Sequence, residues 1–101
     1  MKKEIRNEDI DLFFDVILQL KDREECYNFF EDIITINELL SLSQRIVVAS
    51  MLRKEKTYQE IARETGASTA TISRVNRIFS YGNDSLKLLL GRVEEQRGEA
   101  E

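Results

Sequence analysis

The sequence predicts an all-α fold, and three observations carry that prediction. Proline is absent and glycine occurs only four times in 101 residues, too little punctuation for a sheet with many turns. Apolar residues recur three and four positions apart rather than in alternation. A helix-start signature, Ser, Thr or Asp followed three residues later by Glu or Gln, recurs along the chain. At this length the expectation is one domain over residues 1–97, with a frayed tail over 98–101.

The elements follow in order. In "NEDIDLFFDVILQLKD" Ile10, Phe13, Phe14, Ile17 and Leu18 mark one helix face, and Leu12, Val16 and Leu20 widen it until little of the helix is plainly polar. A second helix is expected from Asp22, with Glu25 completing a capping box and Cys26, Phe29, Phe30, Ile33 and Ile34 as its inner stripe. Thr35 with Glu38 opens a short helix through Leu39 and Leu40. Ser41 with Gln44 repeats the signature and opens a further helix, "SQRIVVASMLRKE". Two such broad apolar helices are more than a small monomer covers, which points to an intertwined homodimer.

The stretch "YQEIARETGASTATISRVNR" reads as a helix-turn-helix over about residues 58–79. With Tyr58 at its first position, Ile61 and Thr65 point inward and the small Ala62 sits where two helices cross closely. Gly66 takes the turn, which needs a left-handed backbone that glycine adopts without a Cβ penalty. Ala67 packs beneath the turn, Ser68 or Thr69 caps the second helix, and Ile72 and Val75 anchor it. "YGND" at 81–84 marks a loop before a last helix carrying Leu86, Leu89, Leu90 and Val93.

The net charge of −4 argues at first sight against a nucleic-acid partner, but its distribution does not. Residues 1–42 carry five basic and eleven acidic side chains, residues 43–77 seven and three, and residues 78–101 three and five. The middle of the chain is a basic island, and a polyanion responds to local potential more than to the total. No apolar run approaches the roughly 20 residues of a membrane span, and the single cysteine fits a reducing cytoplasm. Histidine is absent, as are a glycine-rich phosphate loop and any Cys/His or EF-hand metal spacing. The expectation is therefore a protein that is not an enzyme, needs no cofactor and binds no metal. Cys26, on an apolar stripe with Phe29 and Phe30, is expected as a buried thiol rather than a nucleophile.

The outward side of the second helix of the pair carries Thr69, Ala70, Ser73, Arg74 and Arg77. Short side chains at its start allow the backbone close to a groove, where hydroxyls and a methyl can touch base edges; arginine further along can pair with guanine or phosphate. Ser68 adds its hydroxyl at the helix start, and Arg53, Lys54 and Lys56 just upstream are expected at phosphates. The reading is a transcriptional regulator, a repressor, on double-stranded DNA. The rival is a helix-turn-helix that docks a protein without touching DNA. Retention on heparin or nonspecific DNA, lost as salt rises, separates the two, because that slope comes from counterion release.

"SLSQRIVVASMLRKEKTYQEIARETGASTATISRVNR" resembles the Trp repressor superfamily, in detail its YerC/YecD branch, and the likeness extends more loosely from about residue 10 to residue 95. The resemblance implies an all-helical, intertwined homodimer whose two heads enter successive major grooves. By position it places DNA-reading residues on Gln59, Thr69, Ala70, Thr71 and Ser73. It also implies a corepressor pocket in which two arginines sandwich an indole. Arg74 matches one of them. The other falls on Gln44 when counted without a gap, and on Arg45 only after a one-residue slip. Val75 stands where the family has glycine, and the loop before "DSLK" is longer. L-tryptophan is accordingly not expected as a strong ligand, which leaves an effector of another kind open.

Overall fold

In the computed structural model, which describes residues 5–99, six helices and no strand are found among the described residues. They are α1 (Glu8–Ile17), α2 (Arg23–Ile33), α3 (Ile36–Arg53), α4 (Tyr58–Thr65), α5 (Thr69–Tyr81) and α6 (Ser85–Arg97). The all-α expectation is thus met. Of the tail expected to fray, residues 100 and 101 lie outside the described residues. Gly98 and Glu99 close α6, donating to the carbonyls of Glu95 at 3.1 Å and Glu94 at 2.7 Å.

The caps show which start signatures act. Asp22 accepts from the Glu25 N–H at 2.9 Å, while the Glu25 carboxylate reaches past Asp22 to the Lys21 N–H at 2.9 Å. Thr35 and Glu38 form the expected reciprocal pair, at 3.1 and 2.8 Å. The third signature fails. Ser41 and Gln44 open nothing, because α3 runs unbroken from Ile36 to Arg53 and no glycine or proline interrupts it. The expected short helix and its successor are one helix. A Ser in mid-helix costs only tenths of a kcal/mol in propensity, about 0.5, too little to break a helix packed along its length.

The chain divides into two compact units, with the division inside α3 between Leu39 and Leu40. In the first, Phe13 of α1 lies 6.4 Å from Phe29 of α2, ring centre to ring centre, and Phe29 meets Phe30 edge-on at 5.0 Å. No described residue of this unit is buried, and Leu12, Leu18 and Ile36 are 64 %, 76 % and 72 % exposed. Cys26, expected in a core, is only half-buried within this chain.

The second unit holds the core. Val48 and Ala49 of α3, Ile61 of α4, Ala67 of the turn, Ile72 and Val75 of α5 and Leu90 of α6 are its buried members, and Ala62 packs against them. Of the stripe expected on α6, Leu90 is buried and Leu86 packs on the core, whereas Leu89 and Val93 stay exposed. The α3–α4 turn closes with the Glu55 N–H donating to Leu52 and the Lys56 N–H to Met51. Glu55 itself is left-handed at φ 63°, a conformation that costs a side-chain-bearing residue about 1 kcal/mol. Neither feature is signalled by a glycine in the sequence.

Candidate nucleic-acid interface

The helix-turn-helix is built as its residue types dictate. Thr57 caps α4 and Glu60 completes a capping box, with the Glu60 carboxylate accepting from the Thr57 N–H at 2.9 Å and the Thr57 hydroxyl from the Glu60 N–H at 3.1 Å. Hydrogen bonding from Thr57, through its backbone N–H first and its side chain second, holds the Glu60 carboxyl below its ordinary range. The Thr-x-x-Glu signature at 57–60 is the sequence signal of this cap. Gly66 ends α4 in the left-handed region at φ 73°. Thr65 donates its hydroxyl to Ile61 at 2.7 Å and accepts from the Ala67 N–H at 3.1 Å, which fixes the turn from inside. Ser68, not Thr69, is the cap of α5, accepting from the Thr71 N–H at 3.1 Å.

A Cβ at position 66 would meet nothing within 4 Å, so a substitution there is penalised through the backbone alone. Gly66→Val is expected to cost on the order of 1–2 kcal/mol, since a β-branched residue tolerates positive φ worst. Denaturant unfolding measures it, and unchanged stability together with unchanged DNA binding would refute the role given to the turn.

On α5 the buried Ile72 and Val75 turn the opposite face to solvent. Thr69, Ala70, Ser73, Arg74 and Arg77 are all exposed and, at 100° per residue, span an arc of about 140°. No carboxylate occurs anywhere on α5. Gln59 is exposed near the start of α4. Thr71 differs from this set. It is half-buried, and its hydroxyl accepts from Ser68 at 3.1 Å.

The three upstream cations are not equivalent. Arg53 is paired with Glu94 of α6, its Nε 3.0 and 3.1 Å from the two carboxylate oxygens. Lys56 lies 3.4 Å from Glu64. Lys54 is exposed and makes no ion pair among the described residues.

Gln44, Arg45 and Arg74 do come together. With Ser41, Ala70 and Thr71 they line a cleft of about 290 Å³ between α3 and α5. Both alternatives left by the sequence, Gln44 and Arg45, therefore face the same space. The Gln44 amide is committed elsewhere, donating to the Thr65 carbonyl at 3.3 Å. Val75, which stands where the family has glycine, does not line the cleft; it is fully buried in the core. Ser41, which sequence reasoning read as a cap, is the lining residue it missed.

Fold and interface together define a helix-turn-helix protein with a basic, carboxylate-free second helix. The chain belongs to the Trp repressor family, whose model, described as Trp repressor protein, matches residues 8–94. It is 55 % identical over 96 residues to the uncharacterised protein YerC of Bacillus subtilis (strain 168), covering 95 % of this chain and 92 % of that one. Two solved structures are similar. One is a Staphylococcus aureus protein provisionally assigned as a Trp repressor, with TM-score 0.88 and 50 % identity over 91 % of this chain and 92 % of that chain. The other is a TrpR-like protein from Eubacterium eligens ATCC 27750, with TM-score 0.86 and 53 % identity over 99 % of each chain.

Proposed function

We propose that this chain is a sequence-specific DNA-binding transcriptional regulator, a repressor, that reads the major groove as a homodimer. The observation that carries the reading is the exposed face of α5. Thr69, Ala70 and Ser73 are short enough to let the helix start approach base edges, and Arg74 and Arg77 follow on the same face. The helix is held at a fixed angle by Ile72 and Val75, both fully buried. Gln59 sits at the start of α4, where a first helix crosses the DNA backbone. Thr71, tied to Ser68, serves mainly to shape the helix start. Membership of a family of regulators supports the reading, and so does the absence from the sequence of the residue groupings that catalysis uses.

The test separates base contacts from phosphate contacts. Thr69→Trp is expected to alter or abolish sequence preference. Lys54→Ala is expected to weaken all sequences alike and to flatten the salt dependence by about one unit per head. Binding curves on random and selected duplexes at several salt concentrations decide it. A Lys54 variant that changes preference, with a Thr69 variant that changes nothing, would show that the docking is wrong. A protein that docks other proteins only would show no salt-dependent DNA binding at all.

Regulation by L-tryptophan is not part of this reading. The cleft offers Arg74 and Arg45, but Gln44 supplies no cation and its amide is held by Thr65. With glutamine at position 44, about 0.5–2 kcal/mol of cation–π attraction is forfeited unless Arg45 stacks in its place. Calorimetry is expected to show weak or no binding of L-tryptophan, with DNA binding constitutive or set by another ligand. Micromolar affinity coupled to tighter DNA binding would show that Arg45 has taken the second place.

A further inference from the structure

We propose that Arg53 is a positioning residue rather than a phosphate contact, and that its seat on α6 holds the base of the reading head in place. The seat consists of the bare backbone at Gly91 and, one turn on, the carboxylate of Glu94. A Cβ at position 91 would stand 3.2 Å from Nη2 of Arg53 and 3.8 Å from its Cζ, so the guanidinium lies where a side chain would otherwise be. Its Nε meets both oxygens of Glu94, at 3.0 and 3.1 Å. The Glu94 side chain is only 16 % exposed.

The chemistry of the seat selects a guanidinium. A flat, delocalised cation can lie against helix backbone and still direct an N–H at the carboxylate; a lysine ammonium is a compact point charge that cannot do both. The place of Arg53 in the fold gives the contact its consequence. Arg53 is the last residue of α3, and three turn residues and a cap separate it from α4. Within that turn Glu55 is held left-handed. Leu90, next to Gly91, is buried in the same core as Ile61 of α4. Pinning the end of α3 to α6 therefore fixes where the turn leaves and how α4 is aimed. A charge committed in this way is not available to release counterions from DNA.

Two arms test this, and only one rests on the DNA-binding function proposed above. In the DNA-free arm, hydrogen exchange of the amides over residues 54–65 is compared among Arg53→Gln, Arg53→Lys and Gly91→Leu. All three are expected to exchange faster there than the parent, although Arg53→Lys and Gly91→Leu leave the net charge unchanged. Arg53→Lys is the mild variant, retained in case the others fold poorly. In the DNA arm, Arg53→Gln is expected to keep the parent's salt slope on a random-sequence duplex, whereas Lys54→Ala loses about one unit per head. Parent-like exchange in Arg53→Gln and Gly91→Leu would overturn the proposal, whether or not the protein binds DNA. So would restoration of parent-like exchange by lysine at position 53, or a salt slope lowered by Arg53→Gln as far as by Lys54→Ala.

Discussion

Ile72→Ala is expected to destabilise the helix-turn-helix unit by about 2–5 kcal/mol, the usual range for emptying a fully buried aliphatic site. Ile72 is wholly inaccessible and belongs to a core whose largest fully buried side chains are only four, Ile61, Ile72, Val48 and Val75. They come from three helices, so a cavity at Ile72 loosens α5 from α3 and α4 together. A core this small has little slack. Small domains are stable by only about 5–15 kcal/mol in total, so the loss is a large share of what is available. Urea unfolding followed by circular dichroism measures it. A loss below about 1 kcal/mol, in the range of a surface substitution, would mean that these four residues do not form the core. Because α5 also carries the proposed reading face, DNA binding is expected to fall with stability, unlike in Thr69→Trp, where only preference is expected to change.

The second large effect concerns assembly. Light scattering is expected to give twice the chain mass for the parent protein and a single chain mass for Phe14→Glu. The first unit alone leaves Phe14 about half exposed and Leu12, Leu18 and Ile36 more so, and no described residue of that unit is buried. Apolar surface of that extent is covered in a stable soluble protein, and a second copy of the chain is the proposed cover. A carboxylate at position 14 would then be buried without a partner, at a cost of several kcal/mol by the usual order of magnitude. A parent protein that is a clean monomer would remove both the dimer and the two-headed mode of binding.

How far the sequence revealed this molecule depended on where the determining contacts lie. The helix-turn-helix was legible because its constraints are local. Gly66 needs positive φ, Ala62 must be small, and Ile61, Ile72 and Val75 fall at helical spacing on inward faces. The cap at Ser68 and the exposed face of α5 follow from the same spacing. What stayed illegible was decided by partners far along the chain. Gln44 looked like the end of a capping box because that signature weighs three residues and not the helix around them; its actual partner is Thr65. Arg53 looked free for phosphate because its partner is distant in sequence: Glu94 lies 41 positions away. Val75 was set against a ligand slot by counting from Arg74, and the hundred-degree step of the helix instead turns it into the core. The left-handed Glu55 had no glycine to announce it.

A dimer of this chain is proposed to read a specific DNA sequence through α5. Selection of bound duplexes from a random pool, at a salt concentration that suppresses nonspecific binding, tests it most directly. A two-fold symmetric sequence is expected, with half-sites about one helical turn, roughly 34 Å, apart. The bases recovered are expected to change when Thr69 or Ser73 is replaced. A pool that emerges with no enriched sequence, or one whose enrichment is indifferent to both residues, would contradict it.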